Sequence, residues 1–347
     1  MNKPIMQDIA DSLSVSRISV WKALNNRPGV SDELRERILK EAVDIGYLKE
    51  PVNGADIEKV QTRTIAAVVS RPESSIFWMQ IIHQIAKELS LQRVNLMYIY
   101  MPTHSNTDIE AELPDALSDG SVSGIIVLNV YSEAQLRMLA ELPIPKVFLD
   151  SVPALSLDRM DGDIVLIEGR SAVRQITKRL LDSGYTKLGF VGDIHYAQTN
   201  MDRYQGFMDA FAELGIKTDA TFSMTGKLHL DTHYQQIEAF LKSLKTMPDG
   251  FVCASDYIAH FIQRYFDENG IDQSKIYLTG FDNNSEYTNV MNKITTVDVQ
   301  TGSMGERLAN KIMFAINHPN LPNEVSYVLT NVIYRSFPNP KKGNSKG

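Results

Sequence analysis

Asp8-Ile9-Ala10, then Leu13-Ser14-Val15-Ser16-Arg17-Ile18-Ser19-Val20-Trp21-Lys22, then Asn25-Asn26, is the stretch from which the rest of the chain is read. Ile9, Ala10, Leu13, Val15, Val20 and Leu24 fall at spacings that turn two short helices toward one small core. Ala10 lets the helices cross closely, Val15 plugs the turn between them, and Ser16 is placed to accept the free N–H groups that open the second helix. That helix leaves Arg17, Ile18, Trp21 and Lys22 outside, a mixture that serves no core. Two helices and a tight turn, the second helix leading with such a face, form a helix-turn-helix of the kind that enters the DNA major groove.

A third helix follows. Arg27-Pro28-Gly29 makes a turn, Ser31 caps, Asp32 and Glu33 suit the positive end of the helix dipole, and Leu34, Ile38, Ala42 and Ile45 form the apolar stripe that Gly46 ends. Residues 1–49 hold eight Lys/Arg against seven Asp/Glu, a balance of +1, in a chain of net charge −7. The electrostatic attraction to phosphate is therefore modest, and dimerisation is expected to supply much of the affinity.

The remaining length bounds the class. At 347 residues and 43% hydrophobic content there is room for larger cores behind this head, and no apolar run is long enough to span a bilayer. The N-terminus lacks an apolar signal core, and the single cysteine, Cys253, excludes an internal disulfide framework; both point to a cytoplasmic protein. Phe251, Val252 and Ala254 around Cys253 mark it as an inert thiol in a buried strand.

Residues 50–63 carry Pro51 and Gly54 and few large apolar groups, and read as a linker. From Thr64 on, apolar runs of strand length alternate with amphipathic helical stretches: Ile65–Val69, Val94–Tyr100, Gly124–Leu128, Lys146–Leu149, Ile164–Ile167, Leu188–Val191, Phe251–Ala254 and Ile276–Leu278. Strands buried on both faces and separated by helices make parallel sheets with right-handed crossovers. Two groups of about four strands predict two doubly wound lobes, with ligand bound beyond the carboxyl ends of the strands. Residues 339–347 read as a disordered polar tail.

The chain resembles the LacI/GalR family of bacterial transcription regulators over nearly its whole length. The head carries the pattern in Asp8-Ile9-Ala10, Val15-Ser16, Val20, Leu24-Asn25, Val30-Ser31, Arg35, Arg37-Ile38 and Gly46-Tyr47. Weaker matches follow in order: Thr62-Arg63-Thr64-Ile65, Gly124-Ile125-Ile126, Arg203-Tyr204-Gln205-Gly206-Phe207 with Ala210, and Gly280-Phe281-Asp282. The resemblance implies a helix-turn-helix head (1–49), a hinge (50–63) and a two-lobed, periplasmic-binding-protein-like sensor (64–338). One lobe is expected to comprise about 64–160 plus 294–322, the other about 161–293 plus 323–338. It further implies a homodimer that binds operator DNA, most simply as a repressor, under control of a small effector such as a sugar.

By position, the resemblance makes Arg17, Ile18 and Lys22 base readers, and gives phosphate contacts to Ser16, Ser19, Asn25, Ser31 and Tyr47. Lys22 stands where the family usually has Arg, which weakens bidentate reading of guanine. Trp21 replaces a small residue, and Ser14 stands where glycine usually makes the turn, a costly exchange if the turn needs positive φ. In the hinge, Asp56 and Glu58 and poor helix formers argue against the usual minor-groove helix.

In the sensor, the resemblance makes Arg203 the effector's anchor, the alternative being a surface ion pair. Asp150 and Asp282, at strand ends, read equally as acceptors for sugar hydroxyls or as helix N-caps. Ser255-Asp256 replaces the family's Asn-Asp, so the effector is expected to differ from the familiar ones. Phe77 and Trp78 are either a stacking wall or lobe core. His229 and His233, four apart, lack a third ligand; no metal and no cofactor are expected, and His229 is a candidate effector contact instead.

Dinucleotide, phosphate-loop and nucleophile-elbow signatures are absent, which argues against an enzyme. A sugar-binding protein of a transport system shares the two-lobed sensor, but has no use for residues 1–49.

Overall fold

The structure, a computed structural model, describes residues 6–24, 29–47, 63–70, 75–101, 113–273 and 276–335. Asn25, the hinge segment 51–62 and the tail 339–347 lie outside the described residues. The chain divides into two compact units, Met1–Arg63 and Thr64–Gly347.

The first unit is three helices: α1 (Met6–Leu13), α2 (Arg17–Leu24) and α3 (Asp32–Asp44). Ile9, Ala10, Val20, Ala23, Ile38 and Ala42 are its buried core, with Leu13, Val15, Leu24, Leu34 and Tyr47 packed around them. α1 ends in a Schellman turn: Val15 N–H donates to Ala10 O at 3.0 Å and Ser14 N–H to Asp11 O at 3.3 Å, with Ser14 at φ 54°. Ser16 Oγ accepts from Ser19 N–H at 3.0 Å and Ser31 Oγ from Leu34 N–H at 3.3 Å, so both expected caps form. Gly46, at φ 77°, follows the end of α3.

The second unit holds two sheets. The first has six strands in the order β10-β5-β4-β3-β1-β2, all parallel: β1 (Thr64–Val69), β2 (Asn95–Tyr100), β3 (Gly124–Leu128), β4 (Lys146–Leu149), β5 (Asp163–Ile167) and β10 (Val325–Val328). The helices α4 (Ile76–Leu91), α5 (Glu133–Ala140) and α10 (Thr301–Asn317) belong to this lobe, α4 and α10 packing on each other.

The second sheet is β6 (Leu188–Val191), β7 (Gly250–Cys253) and β8 (Tyr277–Thr279), also parallel. Its helices are α6 (Arg170–Asp182), α7 (Gln198–Leu214), α8 (His233–Ser243) and α9 (Asp256–Asn269). An antiparallel pair, β9 (Thr296–Asp298) with β11 (Asn331–Ile333), adjoins it through single bridges from Thr279 to Thr295 and from Asp282 to Asp298. The doubly wound parallel architecture is as expected, but the strands divide six and three rather than evenly.

The lobe limits require correction. β5 pairs with β4 and with β10, so residues 163–167 and 325–328 belong to the first lobe and not the second. Residues 294–298, expected in the first lobe, lie with the second sheet. The chain passes between lobes at residues 168–169, 299–300 and 329–330. An apolar run such as Ile164–Ile167 fits any fully buried parallel strand. Only the register (Phe148 beside Ile164, Leu166 beside Tyr327) says which sheet takes it.

Candidate functional site

Two places gather the residues singled out by sequence. The first is the outer face of α2. Arg17 and Ile18 are exposed, Ile18 at 67%, and Trp21 at 44% stands beside a half-buried Lys22. Ser16, Arg17 and Ser19 form the first turn of this helix, so its leading end presents hydroxyls and a guanidinium together. Arg35 of α3 donates to the carbonyls of Lys22 and Ala23 at 3.4 and 3.2 Å, which fixes the far end of α2 against α3. Ser31 is exposed at the start of α3, and Tyr47 packs on the head core. All the predicted DNA contacts except Asn25 are therefore described, and they belong to one three-helix unit.

The second place is a cleft between the lobes, a cavity of about 280 Å³. Phe77, Trp78, Asp150, Arg203, Ser255 and Asp282 all line it. Phe77 and Trp78 sit in the first turn of α4, capped by Ser75, with their rings edge to face at 5.1 Å. They also pack on the lobe core.

Arg203 rises from α7 and is buried. Its Nη1 donates to Ala254 O at 2.6 Å, its guanidinium lies 3.7 Å from the centre of the Phe281 ring, and Nη2 stands 3.6 Å from Asp282 Oδ1. The arginine passes so close to Gly169 that a Cβ there would meet Arg203 Cγ at 2.7 Å. The alternative of a surface ion pair is excluded by this burial.

Asp150 turns out to cap, and to do so across the lobes. From the end of β4 its carboxylate accepts from Thr199 N–H at 3.2 Å and Thr199 Oγ1 at 2.5 Å, in the first turn of α7, as well as from Ser151 N–H at 2.8 Å. Burial pushes its carboxyl above the ordinary range, against the pull of these bonds and of Arg203. Asp282 does not cap: no helix follows it, and its carboxylate faces Arg203. Burial raises its pKa too, with Arg203 opposing. Ser255 is the N-cap of α9, accepting from Ile258 N–H at 3.3 Å.

Behind the cleft, Asp256 accepts from Asn284 N–H at 2.8 Å and from Thr296 Oγ1 at 2.7 Å; burial, then the like charge of Asp282, lifts it to about 7.

Several cleft residues gave no sequence signal. Tyr131, after β3, and Tyr196, before α7, meet across the lobes with ring centres 4.4 Å apart. Asn129, Asn200, Tyr257, Asn284 and Tyr287 also line the cleft. Each is an isolated polar or aromatic residue in a loop or first helical turn, where no periodicity marks it. His229 is not a cleft residue; His233, facing Tyr257 OH at 3.1 Å, is. The short turn that precedes α8 carries His229 outward while the helix turns His233 in. Among the described residues no group of three metal-ligating side chains occurs, and Cys253 is buried, its thiol pushed up by that burial.

Comparison with known proteins places this arrangement. Residues 177–336 match the model of a periplasmic-binding-protein-like domain. The chain is 25% identical to the NTD biosynthesis operon regulator NtdR of Bacillus subtilis over 339 residues, covering 96% of this chain and 99% of that protein. It is 22% identical to the transcriptional repressor PurR of Mannheimia succiniciproducens, covering 95% and 97%. In fold it is similar to a Lac repressor dimer solved with operator and an anti-inducer, with a TM-score of 0.67 at 17% identity over 96% of this chain and 98% of that one. Over nearly its whole length the chain is similar to regulators of the LacI/GalR family. Like these relatives it reads as an effector-controlled DNA-binding regulator and not an enzyme. Among the described residues no helix is long and apolar enough to cross a membrane.

Proposed function

We propose that this LacI/GalR regulator represses transcription by binding a near-palindromic operator as a homodimer, released or engaged by a sugar or sugar derivative held in the interlobe cleft. Residues 1–49 are the DNA-binding head, 50–63 the hinge and 64–338 the sensor. Arg17, Ile18, Trp21 and Lys22 read the major groove, and Ser16, Ser19, Asn25, Ser31 and Tyr47 hold phosphates. Phe77, Trp78, Asp150, Arg203, Ser255 and Asp282 serve the effector. The protein acts in the cytoplasm.

The observation that carries the reading is the cleft. A buried guanidinium and carboxylate stand among aromatic rings, the combination that grips hydroxyls edge-on and ring faces by stacking. Among relatives of this fold, one solved structure is the regulator CelR with cellobiose, TM-score 0.65 at 19% identity, and another, from Enterococcus faecium, holds ribose. In a dimer, two recognition helices enter successive major grooves about one turn (~34 Å) apart.

DNase footprinting and gel shifts on the DNA upstream of the chain's own gene test the reading. The pair Arg17→Ala and Lys22→Ala is expected to abolish protection at the operator, and a cleft ligand to change it. Unchanged footprints with the double variant refute the assignment of α2.

A further inference from the structure

The charge of the cleft says more about its ligand than its shape does. Among the described residues that line it, Asp150, Asp193 and Asp282 are acids and Arg203 is the one guanidinium, with no lysine. Asp150 is committed to Thr199 and Ser151. Asp193 is committed as well: Oδ1 accepts from His195 N–H at 2.9 Å and Oδ2 from Leu228 N–H at 3.0 Å. Asp282 is different. Among the described residues no hydrogen bond reaches its carboxylate, and Arg203, at 3.6 Å, is too far for one. The guanidinium spends its strongest bond on Ala254 O instead.

Two further observations define what is missing. Arg203 Nε, on a side chain 6% exposed, has no hydrogen-bond partner, so a buried donor waits for an acceptor. The same cleft is lined by Phe77, Trp78, Tyr131, Tyr196, Tyr257 and Tyr287, six rings drawn from both lobes. Ring faces attract a cation strongly once water is excluded. Among the described residues, an anion entering here would meet three carboxylates for one guanidinium whose neighbours already engage it, an arrangement that rejects as much as it selects.

We propose that the ligand of this cleft is an amino sugar. Its ammonium group sits on the Asp282 carboxylate against the aromatic walls, and its hydroxyls meet Arg203. Asp282 is the specificity-determining residue, favouring the amine over the neutral parent sugar, and the excess of acid excludes sugar phosphates. The proposal rests on the cleft being the effector site.

Thermal-shift and calorimetric titration of the full chain with glucosamine, galactosamine and mannosamine, their neutral parents and the parents' 6-phosphates test it. An amino sugar is expected to bind at least tenfold tighter than its neutral parent, and the phosphates not at all. Asp282→Asn is expected to erase the preference, losing tenfold or more for the amine and less than threefold for the parent, while Asp282→Glu keeps it. Circular dichroism confirms that both variants fold. A neutral sugar bound as tightly as its amine, a phosphate that binds, or a preference that survives Asp282→Asn overturns the proposal and leaves the cleft as a sugar site. Binding by none of the nine compounds overturns the sugar reading itself.

Discussion

Ser14 gives the head a defect that a single substitution should repair. The turn closing α1 holds residue 14 at φ 54°, in the left-handed region. A side chain there costs roughly 1–2 kcal/mol relative to glycine through its Cβ contact with the following carbonyl. Glycine gives back roughly 0.5–1 kcal/mol because its unfolded chain is freer. Ser14 is exposed, and its turn is held by backbone bonds alone, Ser14 N–H to Asp11 O and Val15 N–H to Ala10 O, so Ser14→Gly removes no contact. The net gain is about 1 kcal/mol.

That amount matters because the head's core is thin. Among the described residues of the head, three of the six in its buried core cluster are alanines, Ala10, Ala23 and Ala42, and in such a unit ~1 kcal/mol changes the folded-to-unfolded ratio about fivefold. Hydrogen exchange by mass spectrometry on the full chain reads it directly: amides of residues 6–24 are expected to exchange about fivefold more slowly in Ser14→Gly. Amides of the sensor, in a separate compact unit, serve as the internal control. Exchange that is unchanged or faster in α1 and α2 refutes the claim that the turn is strained by its side chain.

Three further outcomes are expected. Gly206→Ala, on α7, places a Cβ 2.1 Å from the Arg170 carbonyl of α6; this backbone atom cannot swing aside, and the thermal midpoint should fall by an amount corresponding to ~3 kcal/mol or more, with Arg203 displaced and effector affinity lost. Asp256, raised from 3.8 to about 7, binds its proton more tightly folded than unfolded. It therefore contributes stability that is full below about pH 4 and lost as pH rises through 7, and Asp256→Asn should flatten the fall in urea midpoint between pH 5 and pH 8. Thr199→Val removes the 2.5 Å hydroxyl bond to the Asp150 carboxylate across the lobes; urea unfolding should show a loss of roughly 1.5–3 kcal/mol, with a small change refuting the bond's weight.

The head was legible because every rule about it is local. Ser16 and Ser31 cap as their spacing predicts, Val15 fills the turn, and Ile18 and Trp21 face outward because the apolar spacing leaves them no inward place. The strands of the sensor were legible as strands for the same reason. Their partition was not, since Ile164–Ile167 is apolar on both faces and carries no mark of which sheet it joins. The cleft was half legible. Arg203, Asp150 and Asp282 stand where topology puts ligand contacts, at strand ends or helix starts. Tyr131 and Tyr196 lie 65 positions apart in sequence on different lobes, and only the packing of one lobe on the other brings their rings together. The role of Asp150 could not be decided from its neighbours either, because the helix it caps begins 48 positions later and in the other lobe.

How the cleft responds to its ligand follows from how it is held. The lobes are joined by three passages of two residues each: 168–169, 299–300 with Gln300 at φ 54°, and 329–330. Such short links allow rotation of one lobe on the other and little else. Against rotation stand the bonds that close the cleft at its rim. Asp150 accepts from Thr199, Gln198 N–H donates to Ser151 O at 2.8 Å, Ile76 N–H donates to Glu286 at 3.3 Å, and Tyr131 lies on Tyr196. A ligand shifts the balance between open and closed only by binding one better than the other. Phe77, Trp78 and Tyr131 come from one lobe and Arg203, Tyr257 and Asp282 from the other. A ligand small enough for about 280 Å³ reaches both sets only when the lobes are together. On the proposed reading of the cleft, a ligand that touches both sets binds the sensor better with its lobes together than apart.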